Sequence, residues 1–490
     1  MSNLRPEHVD VLIVGAGLSG VGAACHLKIN CPEKSVAILE ARAAIGGTWD
    51  LFRYPGVRSD SDMYTLGYTF RPWTEAKAIA DGPSILSYIR ETAAAYGVDQ
   101  KIRFQRQVIR AAWRGETAQW TVEIRHVDTG LVSVITCGFL WFCSGYYRYE
   151  HGYAPDFPGA AQFTGQIVHP QKWPADLDYT GKRVVVIGSG ATAVTLAPAM
   201  ADKAAHVTML QRSPTYIVSM PAVDALANAM RRILPAGFVY AFTRWRNALM
   251  AIGIYQLSRR RPEMVKRLIK RLLRRDLGPD FDIDRHFTPP YNPWEQRMCL
   301  VPDGDLFVAL REKRASIVTD HIETFTPTGI RLKSGEQLDA DIIVTATGLE
   351  LVSLGGAALT VDGHAVDIGK AVTYKGTMLT GVPNLAFVFG YTNASWTLKA
   401  DLICGYVCRL LQYMDKKGYR QVRPRLDDAQ VEALPLLDLN AGYVLRGMDR
   451  FPRQGSKLPW RLYQNYVLDM LMIRYGGVRD DALEFRQTGV

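Results

Sequence analysis

Two glycine clusters, Gly15-Ala16-Gly17-Leu18-Ser19-Gly20 and Gly188-Ser189-Gly190-Ala191-Thr192-Ala193, each follow an apolar run and open a helical pattern. That order is the strand, tight turn and helix of a dinucleotide cradle. The first glycine turns the chain, the second lets backbone approach a pyrophosphate, and the helix N-terminus offers N–H groups to anionic oxygen. Two cradles in one chain imply two redox nucleotides. The residues that close the next strands differ. Val9–Val14 enters the first cluster, and Ser35–Leu39 ends in Glu40, where a carboxylate accepts hydrogen bonds from a ribose diol without a 2′-phosphate, as in FAD. Arg183–Ile187 enters the second, and His206–Leu210 runs into Gln211-Arg212-Ser213, a guanidinium and hydroxyl suited to the 2′-phosphate of NADPH.

Between the clusters lies FTGQIVHPQKWP, residues 163–174, with Phe163, Gly165, His169, Trp173 and Pro174 in the pattern F-x-G-x-x-x-H-x-x-x-W-P. Read alone, His169 and Trp173 are a core histidine and tryptophan packing a linker. In sequence between two cradles they mark a junction. Phe139–Gly145 (FLWFCSG) and Asp341–Gly348 (DIIVTATG) are buried strands ending in small residues, and both read as the chain crossing between nucleotide domains.

The 490-residue chain has ordinary apolar and charged fractions, and no run of roughly 18 apolar residues that could span a bilayer. Strand-like sequence begins within the first ten residues, so a secretory leader is not read and a cytoplasmic location is expected. The seven cysteines are scattered without a C-x-x-C pair, which argues against a dithiol or metal site. Net charge is +10, but thirteen Lys and Arg against one acid fall between Arg231 and Arg275, so the rest of the chain is close to neutral. This segment, within a helical stretch from about Ala222 to Phe287, ends in Glu263–Arg275 (EMVKRLIKRLLRR). There Met264, Val265, Leu268, Ile269, Leu272 and Leu273 recur at helical spacing opposite six basic side chains. The basic face has two readings: peripheral contact with an anionic membrane, or a solvated face above an apolar side packed on the protein. Nucleic acid is not expected, since the basic residues lack interleaved aromatics.

With these motifs in order the chain resembles the class B flavoprotein monooxygenases of the Baeyer–Villiger type, from about Val9 to Val478. GGTWDLFRYPGVRSDSDMYTLGY, YNPWEQRMCLVPDGDLF and YTNASWTLKADL carry the likeness further. The resemblance implies an α/β fold: two Rossmann-like dinucleotide-binding domains, for FAD and NADPH, with a mostly helical insertion. The implied boundaries are 1–148 and 341–490 for the FAD domain, 149–221 and 289–340 for the NADPH domain, and 222–288 for the insertion. Gly47, Thr48 and Trp49 join the FAD site, and His169 and Trp173 are implied to help the NADPH domain shift. Residues 393–398 and 440–465 are expected to line the pocket.

By the same resemblance Arg297 is the catalytic arginine and Asp60 the carboxylate that orients it. An arginine stays protonated wherever a peroxyflavin anion or tetrahedral adduct needs a counter-charge. Gln296 departs from the lysine of several ketone-oxidising relatives, which places the preference for NADPH on Arg212. The implied activity is FAD-dependent, NADPH- and O2-consuming conversion of a hydrophobic ketone to an ester or lactone through a C4a-peroxyflavin, with oxygenation of sulfur in thioethers or thioamides alongside. Two alternatives stay open at this point: a flavin monooxygenase confined to sulfur or nitrogen, and a membrane-surface NAD(P)H:quinone reductase.

Overall fold

The computed structural model describes residues 6–296, 298–437 and 439–487. Apolar runs without polar alternation build two mainly parallel sheets, because strands covered on both faces have no wet side. Glu7–Val14 lies inside the first sheet and pairs in parallel with Val36–Leu39 and with Val132–Phe142. Leu385–Phe387 pairs in parallel with the end of Val132–Phe142. The alternating strands Arg106–Arg114 and Gln119–His126 add an antiparallel meander to the same sheet. Val14 stands opposite Phe142, so the chain leaves both strands side by side, at Gly15 and Cys143.

The second sheet runs in the order Ala315–Thr319, His206–Gln211, Arg183–Ile187, Ile342–Thr345, Gln166–Val168, all parallel. This corrects one expected boundary. A division at residue 341 would give Ile342–Thr345 to the first domain, whereas it pairs with Arg183–Ile187 on one side and Gln166–Val168 on the other. Its four residues are all buried, and a strand covered on every side needs such a continuous apolar run. The return to the first domain therefore follows Thr345.

Residues 222–288 form the expected helical insertion: Ala225–Met230, Ala236–Arg260, Pro262–Leu277 and Ile283–Phe287. Its two long helices serve different domains. Val239, Tyr240 and Ala248 of Ala236–Arg260 join the core beneath the first sheet, while Val265, Ile269, Leu273 and Leu277 of Pro262–Leu277 join the core of the second. The apolar face of the basic helix is thus packed on protein, as the second of its two readings holds. Met264 and Leu268 remain exposed beside the basic residues.

Helix Ala236–Arg260 is fastened by a buried arginine. Arg244 donates to the carbonyls of Tyr64, Thr65 and Gly67 at 2.8, 3.2 and 2.7 Å, and to Asp401 at 3.2 Å. Asp401 also accepts from the Thr69 N–H at 2.9 Å and lies 3.3 Å from His26 Nε2. Burial works to raise the Asp401 pKa, and His26 and Arg244 outweigh it, holding the carboxylate charged below its ordinary range. Removing one partner of such a group strands the other without solvent, at a cost of about 3–5 kcal/mol. Arg244→Met is expected to lower unfolding free energy by that amount in a urea titration. A loss below about 1 kcal/mol, the worth of an exposed pair, would mean that the arginine does not hold the helix.

Candidate active site

The two cradles repeat one geometry. Gly15 and Gly188 both have positive φ, +103° and +136°, which side chains rarely adopt. A Cβ on Gly15 would lie 2.7 Å from the Cys143 carbonyl oxygen, and one on Gly188 2.4 Å from that of Ala346. In each sheet this neighbour ends the strand across the point where strand order reverses, the crevice in which open α/β sheets bind ligands. Helices Leu18–Asn30 and Ala191–Ala201 begin at Gly17 and Gly190 with no side-chain cap and no acid in the first turn. Their first N–H groups are thus left for an anionic ligand. The cradles differ at the last motif position. A Cβ on Gly20 would fall 1.8 Å from the Gly15 carbonyl oxygen, while Ala193 carries its methyl in the core of the second domain. The first helix sits closer over its turn than the second.

Glu40 is buried at the end of its strand, and burial raises its pKa. Each oxygen accepts one backbone N–H, from Ala16 at 2.7 Å and Arg42 at 2.9 Å. A carboxylate oxygen has a second lone pair, so the group can also accept from a ribose diol. Gly47 approaches Gly17 and caps the short helix Thr48–Leu51; Thr48 Oγ1 is 3.3 Å from the Tyr149 hydroxyl, and Trp49 packs on the first core. On the second cradle the Gln211 amide turns inward to the His286 carbonyl and Thr319 Oγ1. Arg212 and Ser213 are left exposed at the strand end. Ser189 Oγ donates to the Ser213 carbonyl at 3.2 Å. Both donor sets fit the nucleotides expected of them.

The junction motif lies where the chain crosses. Gln166–Val168 is the edge strand of the second sheet, Phe163 packs against Phe325, and Gly165 backs onto the Asp341 carbonyl. His169 Nδ1 accepts from the Gln171 N–H at 3.2 Å, which leaves Nε2–H to donate to the Gly348 carbonyl at 3.3 Å. Burial lowers the pKa of this histidine and favours the neutral ring. Tyr153 N–H donates to the same carbonyl at 3.1 Å, and Thr347 Oγ1 donates to the Tyr153 carbonyl at 2.6 Å. The outgoing crossing near Tyr153 and the returning crossing at Thr347–Gly348 are therefore stitched together, with His169 as the third member. Trp173 packs on the second core, and Pro174 follows it, its carbonyl accepting from Leu177.

The loop 52–62 brings the first domain onto the second cradle, a contact that neither spacing nor periodicity signals. Tyr54 is buried in the second domain's core, burial pushes its phenol up to about 12, and it hydrogen bonds with the Thr192 side chain. Arg58 pairs with Asp305 at the start of helix Asp305–Arg311. Asp60 is half-buried in this loop. Arg297 lies outside the described residues. Of the residues before it, Glu295 is placed: its carbonyl accepts from the Asn440 N–H at 2.9 Å. Trp396 donates to Ser19 Oγ at 2.7 Å within the first glycine cluster and stacks on Tyr146 at 5.3 Å. Asn393 donates to the Gln464 carbonyl at 2.9 Å, and its own Oδ1 is buried without a protein partner.

Gly152 lies flat against the His169 ring, where an added Cβ would come 2.0 Å from Cε1. Gly152→Ala is expected to displace His169, retain FAD, and lower the rate of flavin reduction by NADPH in stopped flow by on the order of a hundredfold, as a misplacement of about 1 Å can. An unchanged rate would show that the joint tolerates His169 in another position.

A family model described as flavin-binding monooxygenase-like matches residues 75–233, and one described as an NAD(P)-binding Rossmann-like domain matches residues 13–81. The FAD-containing monooxygenase EthA of Mycobacterium tuberculosis (strain ATCC 25618 / H37Rv) is 55% identical over 480 residues, 98% of each chain. Among solved structures, oxidized steroid monooxygenase bound to NADP has a TM-score of 0.77 at 21% identity, covering 98% of this chain and 99% of that one. The open structure of cyclohexanone monooxygenase has a TM-score of 0.75 at 19% identity, covering 98% and 100%. These two show a shared fold. More than half of the residues shared with EthA, across nearly the whole of both chains, make this protein a member of the FAD-containing monooxygenases.

Proposed function

We propose that the protein is a Baeyer–Villiger monooxygenase that converts hydrophobic ketones to esters or lactones, and also oxygenates sulfur in thioethers or thioamides. The observation that carries this reading is the junction motif, seated at the crossing between two cradles of matching geometry. Ketone, O2, NADPH and a proton enter; ester, water and NADP+ leave. Bound FAD supplies hydride acceptance and oxygen activation. The uncapped start of helix Leu18–Asn30 and Glu40 hold its pyrophosphate and ribose. Gly188, Gly190, Thr192 and Ala193 seat NADPH, and Arg212 with Ser213 takes its 2′-phosphate. Arg297 keeps a permanent positive charge near oxygen that becomes anionic as the carbonyl is attacked. Asp60 orients that guanidinium. Tyr146 and Phe389 pack on Trp396, which reaches the first glycine cluster at Ser19, and this aromatic group would help keep water from the flavin. A cytoplasmic enzyme in peripheral contact with anionic membrane completes the reading, since its substrates are hydrophobic.

Purified enzyme is expected to be yellow and to release free FAD on denaturation; colourless protein that cannot be reconstituted with FAD would end this reading. Arg212→Ala should reduce the ratio of kcat/KM for NADPH over NADH by roughly ten- to a hundredfold, the worth of one or two charge-assisted hydrogen bonds. An unchanged ratio means that another group reads the 2′-phosphate. Arg297→Ala should cut ester formation by about 100- to 1,000-fold, leaving NADPH oxidation that releases hydrogen peroxide. Asp60→Ala should give a milder form of the same uncoupling. Product analysis with linear ketones, cyclic ketones and thioethers tests the substrate class, and oxygenation of sulfur alone would exclude the Baeyer–Villiger reaction.

A further inference from the structure

Helix Ala236–Arg260 lacks the single inward apolar stripe of a helix facing water. Its buried side includes Thr243, Arg244, Asn247 and Ser258 beside Val239, Tyr240 and Ala248. Its outer side carries Phe238, Phe242, Trp245 and Leu249, spaced four, three and four residues apart and 56%, 43%, 39% and 52% exposed. Farther along, Met250, Ile254 and Leu257 are also exposed, on a side of the helix turned by about 100–160° from that stripe. A surface helix in water places its apolar stripe inward. Scattered exposed apolar residues need no explanation, whereas a continuous stripe marks a contact surface. The stripe also reaches a second element. Trp245 meets the Tyr466 ring at 5.5 Å, and Leu468, Leu471 and Tyr475 next to it are exposed.

The rim of this surface is cationic. Arg259, Arg260 and Arg261 end the helix exposed, and Arg267, Arg271, Arg274 and Arg275 are exposed on the next one. The helix Ala236–Arg260 itself contains no acid. We infer that the outer face of helix Ala236–Arg260, with the adjoining 466–475 segment, docks on the surface of an anionic phospholipid bilayer, its aromatic and aliphatic side chains entering the headgroup boundary and its arginines contacting lipid phosphate. Two observations choose this occupant. A two-fold contact between copies would bring identical cationic rims together, which the charge opposes; an anionic surface neutralises the rim. No helix among the described residues is long and apolar enough to cross a membrane, so the contact is superficial. This inference deepens the proposed membrane contact by moving it from the basic helix, where Val265, Ile269, Leu273 and Leu277 are taken up by the second core, to the helix before it. It also places lipid beside the 464–466 segment, which holds Asn393 in the candidate pocket.

The test is sedimentation of the FAD-loaded full chain with vesicles of phosphatidylglycerol or of phosphatidylcholine. Binding is expected with the anionic vesicles, weakening as salt is added. Trp245→Glu with Leu249→Glu should abolish it. Arg259→Gln, Arg260→Gln and Arg271→Gln together should weaken partitioning by roughly two orders of magnitude, at about fivefold per charge. Both variants should keep FAD content and NADPH oxidation in vesicle-free buffer, which separates this surface from the proposed chemistry. Vesicle binding by an enzyme that forms no ester would overturn the function and leave the surface standing. Lack of sedimentation with phosphatidylglycerol, or binding unaffected by the Trp245 and Leu249 changes, overturns the inference. So does a concentration-dependent dimer that disappears in that variant without lipid binding, because a second copy would then cover the face.

Discussion

Everything in this molecule depends on fixing two crevices, each built on its own sheet, relative to one another through two crossings of the chain, residues 143–165 and 346–357. A dinucleotide binds where strand order reverses, so each sheet fixes its own ligand, but nothing within a sheet fixes the other. That task falls to the polar contacts around Gly348. One carbonyl accepts from Tyr153 and from His169, while Thr347 reaches back to Tyr153. Buried backbone groups must be paired. In the crossing they pair with each other across the two linkers, which turns a satisfaction requirement into a positional one. The neutral tautomer of His169 is part of that device, since it both accepts from Gln171 and donates to Gly348.

Much of the nucleotide architecture was legible because it is local. Strand, glycine turn and helix occupy consecutive residues, and Arg183–Ile187 appears where its apolar run lies. The acid and the Arg-Ser pair that close the next strands could be read for the same reason. Long-range pairing was less legible. The strand Ile342–Thr345 looks the same in sequence whichever sheet it enters, and its membership is decided by neighbours more than 150 positions away. The contact of Tyr54 with Thr192 was hidden for that reason too, because the loop 52–62 has no periodicity and its partner is set by tertiary packing. Asp60 and Arg297 were reached through family likeness, since a single arginine and a single aspartate more than 200 positions apart have no spacing signature.

The insertion shows that a clear amphipathic pattern does not by itself mark an uncovered apolar face. Helix Pro262–Leu277 has the clean separation of basic and apolar sides that periodicity detects, and its apolar side is spent on the second core. Helix Ala236–Arg260 has almost no such separation, because Arg244 and its polar neighbours share the buried side with Tyr240 and Val239. Burying a guanidinium is tolerable only where carbonyls and a carboxylate surround it. Such a nest cannot be recognised until residues 64–67 and 401 are seen to meet.

The same helix is unevenly held along its length. Its fully buried residues end at Ala248 apart from Ser258, with Ile252 and Tyr255 making lighter contacts beyond, while the chain runs on to Arg260 before the turn into Pro262 and the second domain. From Arg244 to Arg260 a helix extends roughly 24 Å at 1.5 Å per residue. The insertion is therefore a lever with its fulcrum in the first domain and its load in the second. A slight tilt at the buried arginine sweeps the far end through a proportionally larger arc.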